Sequence, residues 1–481
     1  MKDYDLVLRN ASILDGSGKP RYDGDIAVTG ERIAALGDLG PARGRDEIDL
    51  HGLAVAPGFI DVHTHDDRAL LSSPAMLPKL TQGVTTVVTG NCGISLAPLS
   101  KAHAVPPLDL VAEAGGARYA RFADYIAALR TAGIAVNALP LVGHTTLRAE
   151  VMQDLQRPAN EAEIAAMREH VDVAMRAGAW GLSTGTFYPP AREAPTAEIV
   201  AVGEPLKRYG GVFATHMRNE AEKVMDSLDE TFLIGRELGV RVIISHHKLA
   251  GLCNHGRSVQ TLARIAQAME SQPVGLDCYP YNASSTMLHP DLIDRASSVL
   301  VAWSTPHPEF AGQELAAVAE QMGCDAKTAA IRLAPAGAIY FIMDEADVRR
   351  ILAFPPTMIG SDGLPHDAHP HPRLWGAFPR VLGHYCRETS LFALEQAVHK
   401  MSGLPAGQFG LQQRGLLAPD HYADLVVFDP DTVIDSASFA QPATPAAGIR
   451  RVYVNGQLAL DEQGARPVRA GRVLDGPAAR G

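Results

Sequence analysis

Cysteine is scarce in this chain of 481 residues: there are five, Cys92, Cys253, Cys278, Cys324 and Cys386, with no C-x-x-C pair among them. That excludes a disulfide framework and suits free thiols in a reducing compartment, one of them available to a site. Long apolar runs are missing too. None approaches the roughly 18 residues of a membrane span, and the N-terminal MKDYDLVLRN has neither the basic region nor the apolar core of a signal peptide. Blocks of basic residues are also absent. The net charge of −11 comes from acids scattered along the chain, which argues against nucleic-acid binding, since that needs basic patches. There is no internal repeat and no low-complexity tract. What remains is an ordinary globular composition, 46% hydrophobic and 20% charged. The chain is long enough for two or more packed units. A cytoplasmic protein without membrane or nucleic-acid partners is expected.

Both ends of the chain read as strands. Alternating runs at 4–9, 23–28 and 32–36 near the start, and β-rich runs at 423–429 and 449–456 near the end, the latter closing in an Asn-Gly turn signal, predict one small β-sandwich domain built from residues 1–60 and 415–481. The middle, 61–414, alternates apolar runs with helical patterns such as 161–177, 221–238 and 259–272, the signature of parallel βαβ units. Strands at 84–89, 136–142, 181–183, 212–215, 241–245, 274–277 and 358–360, with the run just before His63, make eight. The fold class expected is α/β, with a (β/α)8 TIM-like barrel. Between Tyr281 and Met358 the spacing breaks. A structureless loop of that length is improbable, so a small inserted lid subdomain is expected at about 286–350, with helical patches at 308–322 and 344–352.

The centre of the chain is GFIDVHTH, residues 58–65. Residues i and i+2 of a strand share a face, so His63 and His65 can aim two imidazoles at one ion. In a barrel of this kind the chemistry lies at the C-terminal ends of the strands. Those positions carry Cys92 after the second strand, His216 after the fifth, His246 after the sixth and Asp362 after the last. Each alone has an ordinary explanation: Cys92 as a small core residue, His216 and His246 as core or surface histidines, Asp362 as a turn former. Six zinc-type donors at equivalent strand ends are another matter, because zinc takes cysteine, histidine and carboxylate ligands.

These segments, with GNCG, VGHTTLR, GLSTGTFYPP, THMRNE, SHHK, DCYPY and SDGLPHDAHPHPRLWGAFPR, resemble the N-acyl-D-amino-acid deacylases (D-aminoacylases) of the metal-dependent amidohydrolase superfamily, over nearly the whole chain. Many superfamily members bridge two metals with a carboxylated lysine after the fourth strand. Here that end reads STGTFY, without lysine, and the resemblance implies Cys92 as the substitute ligand. It implies one tightly bound Zn2+ on Cys92, His216 and His246, and a second, weaker position at His63, His65 and Asp362. The implied activity is zinc-dependent hydrolysis of the amide of N-acyl-D-amino acids, small-molecule substrates, giving a D-amino acid and a carboxylate. Zinc would polarise the carbonyl and lower the pKa of a water to about 7. Asp362 would act as general base and then acid, with His63 and His65 steadying the transition state. Arg373 can offer a bidentate fork to the substrate carboxylate, with Lys248 and Tyr279 as further contacts. Phe187, Tyr188, Ser285, Tyr340 and Met343 resemble pocket positions of the family and imply neutral, hydrophobic side chains. Arg295 reaching in would favour D-glutamate or D-aspartate derivatives instead. A cyclic-amide hydrolase of the dihydroorotase or hydantoinase kind is the competing enzyme, and the missing lysine counts against it. A non-catalytic scaffold should have lost ligands, whereas all six are present. The D preference rests on the resemblance alone.

Overall fold

The computed structural model describes residues 3–101, 105–112 and 116–479. Its central feature is a series of parallel strands: β1 (Phe59–Asp61), β2 (Val84–Thr89), β3 (Asn137–Pro140, continued by Val142–Gly143), β4 (Gly181–Gly185), β5 (Val212–His216), β6 (Val242–Ile244), β7 (Val274–Cys278) and β8 (Thr357–Ile359). They pair in chain order, β1 with β2 and β2 with β3, then the continuation of β3 with β4 and so on through to β8. All eight strands are buried along their length, which is why they read as near-continuous apolar runs rather than alternating ones. β3 breaks at Leu141, but the chain stays between its neighbours there: Leu141 N–H donates to the Thr89 carbonyl at 2.9 Å, and Trp180 N–H to the Pro140 carbonyl at 2.9 Å. At the far side, Thr64 and Gly363 form a parallel bridge, and Asp362 N–H donates to the His63 carbonyl at 2.8 Å. The ends of β1 and β8 therefore meet where the candidate ligands lie.

The helices between the strands follow the sequence pattern. Glu161–Arg176 opens on a capping box in which Asn160 and Glu163 satisfy each other's backbone N–H groups. The helix expected from 221 starts three residues later, at Val224, because the Asn219 carboxamide oxygen first accepts the N–H groups of Ala221 and Lys223.

The two chain ends share a nine-stranded sheet. Its seam is the antiparallel pair Ala54–Pro57 and Leu425–Phe428. The sheet has strands that the pattern did not predict, notably Arg43–Asp49, whose mostly exposed polar residues carry no alternation. Within the long insertion the structure has helices Leu315–Gln321 and Glu345–Ala353, but also a three-stranded antiparallel sheet of Ala283–Met287, Ala336–Phe341 and Val299–Ser304. Its first strand, ASSTM, is small and polar, so it gave no strand signal, and it begins before the expected boundary at 286. Among the described residues no helix is long and apolar enough to cross a membrane.

One buried ion pair braces the segment that follows β4. Arg148, fully buried, contacts Glu198, donates from Nε to the Pro190 carbonyl at 2.8 Å and from Nη2 to the Arg157 carbonyl at 2.7 Å; Glu198 also accepts from Ala159 N–H at 2.8 Å. Burial opposes ionisation of Glu198, but the neighbouring His144, the Ala159 N–H and Arg148 outweigh it and hold the carboxyl at about 2. The stability this carboxylate contributes is complete above its ordinary value near 4.5 and is lost as pH falls toward about 2. Removing it strands a buried guanidinium. Glu198→Ala is expected to lower unfolding free energy by about 3–5 kcal/mol in urea titration at neutral pH, with a smaller deficit in acid.

Candidate metal centre

Six side chains converge at the C-terminal ends of the parallel strands. His63 and His65 follow β1, Cys92 follows β2, His216 ends β5, His246 follows β6 and Asp362 follows β8; each is less than 10% exposed. Their donor atoms form two sets, each with all atoms within 4.8 Å of one another: Cys92, His216 and His246, and His63, His65, Cys92 and Asp362. Cys92 Sγ belongs to both, 3.2 Å from His63 Nε2 and 3.4 Å from His246 Nε2. The sequence reading assigned it to the first set alone. His246 Nε2 lies 3.0 Å from His216 Nδ1, and Asp362 Oδ1 lies 3.3 Å from His65 Nε2 and 3.5 Å from His63 Nε2. Lone pairs of sulfur, imidazole and carboxylate facing one another repel unless positive charge lies among them. Protons or a metal ion can supply it, and this donor set suits zinc.

The local backbone is strained to make this arrangement. Cys92, His246 and Asp362 have φ of 54°, 37° and 50°, in the left-handed region that residues with a Cβ seldom occupy. Each is held there from outside: Asp277 Oδ1 accepts the His246 N–H at 2.9 Å, the His63 carbonyl accepts that of Asp362, and Gly185 lies under the Cys92 carbonyl where a Cβ would come within 2.1 Å. Lys79, fully buried, ties β1 to β8 by donating to Asp61 Oδ2 at 2.8 Å and Ser361 Oγ at 2.9 Å.

The electrostatics favour anionic donors. Burial pushes the Cys92 thiol up, but the adjacent His63 and His246 reverse this and bring it well below its ordinary range. Burial likewise opposes ionisation of Asp362, whereas the Arg373 guanidinium, with Nη2 2.9 Å from Asp362 Oδ2, and His63 hold it well below the usual carboxylate range.

Two supporting carboxylates escaped the sequence reading. Glu220 sets Oε1 3.0 Å from His246 Nδ1 and Oε2 3.4 Å from His216 Nε2, and pairs with Lys248 Nζ at 2.6 Å. Asp277 Oδ1 lies 3.5 Å from His63 Nδ1. Both stand in quoted motifs, THMRNE and DCYPY. The available signal was spacing: Glu220 is four residues beyond His216 just past a strand end.

Of the expected substrate contacts, Lys248, Tyr279, Ser285, Phe187 and Tyr188 line a cavity with His65, His216, His246 and Asp362. Arg295 lines it as well. Arg373 is not on this wall: it is fully buried behind Asp362 and packs 4.4 Å from the Tyr279 ring centre, and its Nε and Nη1 have no hydrogen-bond partner, nor does Ser285 Oγ. Tyr340 and Met343 are not brought to this wall. The Tyr340 hydroxyl donates to the Met287 carbonyl at 2.9 Å and accepts from His289 N–H at 2.8 Å, which fastens the antiparallel sheet, and Met343 packs behind Tyr279 with Sδ 4.0 Å from its hydroxyl. Ile342 faces the cavity instead.

The chain matches the Amidohydrolase family over residues 46–459. It is 57% identical over 471 residues to the D-aminoacylase of Alcaligenes xylosoxydans xylosoxydans, covering 98% of this chain and 97% of that one. It belongs to the D-aminoacylase family of amidohydrolases. It is also 54% identical to the N-acyl-D-aspartate deacylase of the same organism, over 98% and 95% of the two chains. In three dimensions it resembles the N-acyl-D-glutamate deacylase from Bordetella bronchiseptica, solved with zinc and a phosphonate mimic of the tetrahedral intermediate, with a TM-score of 0.95 at 45% identity over 98% and 100% of the chains.

Carboxylates that orient metal-binding histidines typically change metal affinity 10–100-fold when removed. Glu220→Gln is expected to weaken divalent-ion binding by about that factor, read by competition with a coloured chelator, while the circular-dichroism spectrum stays that of the parent.

Proposed function

We propose that the chain hydrolyses the amide bond of N-acyl-D-amino acids with zinc, releasing a D-amino acid and a carboxylate such as acetate. The observation that carries this reading is the pair of donor sets sharing Cys92 Sγ in a buried cavity; the 57% identity to a D-aminoacylase supports the substrate class. Cys92, His216 and His246 would hold one ion tightly, and His63, His65 and Asp362, with Cys92 in reach, would hold a second more weakly. Zinc bound here would polarise the scissile carbonyl and acidify the attacking water. Asp362, kept ionised beside Arg373, takes the water's proton and returns it to the leaving nitrogen. His63 and His65 fix the position of the carboxylate oxygen that faces them. The free Ser285 hydroxyl, with Lys248 and Tyr279 on the same wall, receives the substrate carboxylate, and the Arg373 guanidinium, packed against the Tyr279 ring, adds its positive charge from behind Asp362. Phe187 and Tyr188 form the apolar side of the cavity, and the reading favours neutral, hydrophobic side chains.

The finer architecture goes with this reading. The eight parallel strands close into a (β/α)8 barrel spanning 61–414, with a sandwich domain from 1–60 and 415–481 and the insertion at about 286–350 as a lid over the site. Cytoplasmic residence agrees with the five free cysteines.

One observation favours a second reading. Arg295 lines the cavity, and it is only partly neutralised, with Nη1 3.4 Å from Glu222 Oε2. A cation there suits the side-chain carboxylate of an N-acyl-D-aspartate or N-acyl-D-glutamate. The discriminating measurement is kcat/KM for the N-acetyl derivatives of D-methionine, L-methionine, D-aspartate and D-glutamate, with dihydroorotate alongside. D-methionine leading supports the first reading. An acidic substrate leading, with that lead abolished in Arg295→Leu, supports the second. Turnover of the L-form or of dihydroorotate alone sinks both. Asp362→Asn is expected to lower kcat by about 10²–10⁴. Cys92→Ala is expected to lose both bound zinc, by elemental analysis, and hydrolysis.

A further inference from the structure

Cys92 stands in a turn that its own residue type disfavours. The Asn91 carbonyl accepts the Ile94 N–H at 2.9 Å, and the two residues between them, Cys92 and Gly93, have φ of 54° and 74°. A turn with both central residues at positive φ suits glycine, asparagine and aspartate. Gly93 meets that demand and also a steric one, since a Cβ there would come within 2.8 Å of the Gly185 nitrogen. Cysteine does not, so the turn has to be held from outside.

Two buried side chains grip it. The Asp67 carboxylate takes both flanks, with Oδ2 accepting the Gly90 N–H at 3.1 Å and Oδ1 the Leu96 N–H at 3.3 Å. Ser183 Oγ, on β4, spans the neck of the turn: it donates to the Gly90 carbonyl and accepts the Gly93 N–H at 2.9 Å. Asp67 is itself fastened, because the buried Tyr125 hydroxyl donates to its carbonyl at 2.7 Å. Resting on the reading of Cys92 as a metal ligand, we propose that Asp67 and Ser183 are positioning residues, a clamp that keeps the Cys92 backbone left-handed and its sulfur aimed at the ion. Asp67 lies two residues beyond His65, so the clamp also fixes Cys92 against the segment that carries His63 and His65. One sulfur can then belong to both donor sets. The preceding acid has a different task. Asp66 is equally buried, but its carboxylate faces Lys79 Nζ at 3.2 Å, on the side where Lys79 holds Asp61 and Ser361.

The test loads the metal-depleted full chain with one equivalent of Co2+, which replaces zinc and reveals a bound thiolate as an intense near-ultraviolet charge-transfer band. Cys92→Ala supplies the baseline. In Asp67→Asn one oxygen is replaced by an NH2 group that confronts a backbone N–H, and in Ser183→Ala the Gly93 N–H loses its acceptor. Both are expected to weaken the thiolate band and to lower zinc affinity about tenfold or more by chelator competition, with an unchanged circular-dichroism spectrum. Asp66→Asn is expected to keep the band. A full band and parental zinc affinity in Asp67→Asn and Ser183→Ala overturn the proposal, even where those variants melt earlier. An equal loss in Asp66→Asn overturns it as well, since disturbance of any buried acid would then explain the effect. If Asp67→Asn does not fold, Ser183→Ala decides by the same criteria. A full band in the clamp variants removes this inference alone, whereas a parent chain with no Cys92-dependent band removes the metal-ligand reading beneath it too.

Discussion

A sulfur atom with two imidazole nitrogens 3.2 Å and 3.4 Å away is the contact on which the rest of the site depends. Cys92 gives the cavity its fixed negative charge, and the adjacent histidines keep it ionised although it is buried. Burying an anion is costly unless positive charge accompanies it. The cations the chain brings close, Lys248 and Arg373, are already committed to Glu220 and Asp362. Within the described residues the thiolate thus has only histidines to balance it. Histidines that become protonated to do so cannot also offer lone pairs, so a metal ion satisfies all of them at once where protons cannot.

Holding that contact requires strain, and the strain explains the buried polar groups around it. Three of the six donors have left-handed backbone, a conformation that persists only where neighbouring structure over-determines it. Asp277 does this twice, accepting the His246 N–H and facing His63 Nδ1. Lys79, Asp61 and Ser361 do the same for the junction of β1 and β8. None of these groups need touch a substrate. Their burial is justified by the geometry they impose on groups that do.

This division also accounts for what the sequence disclosed. The parallel strands were legible because they are buried on both faces and end in uncommon residue types; the recurrence of histidine, cysteine and aspartate at those ends pointed to the donors. Glu220 and Asp277 were not legible as supports, since a carboxylate near a strand end has the same local signature whether it orients a histidine or faces water. The sharing of Cys92 between two donor sets depends on a side-chain direction set by its positive φ, which no spacing encodes. Tyr340 and Met343 failed to reach the cavity for a related reason: Ser284, Ser285 and Thr286 reach the wall from the small, polar strand Ala283–Met287, while the hydroxyl of Tyr340 is spent within the sheet. Short polar strands such as this one and Arg43–Asp49 are recognised by their partners, not by their own pattern.

The surroundings of the two donor sets differ in a way that ranks them. Behind His216 and His246 stands the Glu220 carboxylate, touching both rings and raising their basicity toward a cation. Lys248 shares that carboxylate and also approaches His246 Nδ1 at 2.9 Å, so the gain is partial. Behind Asp362 stands a full cation instead: Arg373 takes Oδ2 at 2.9 Å and draws charge from the oxygen that faces His63 and His65. A carboxylate so engaged is a weaker metal ligand and also a weaker base than a free one, but it is reliably ionised and held in one orientation. Proton transfer needs those last two properties more than it needs basicity, because the proton must be taken from an acidified water and returned to a developing amine. On the proposed reading, Arg373 would suit Asp362 to move a proton at the expense of holding an ion, and the tighter grip would fall to Cys92, His216 and His246.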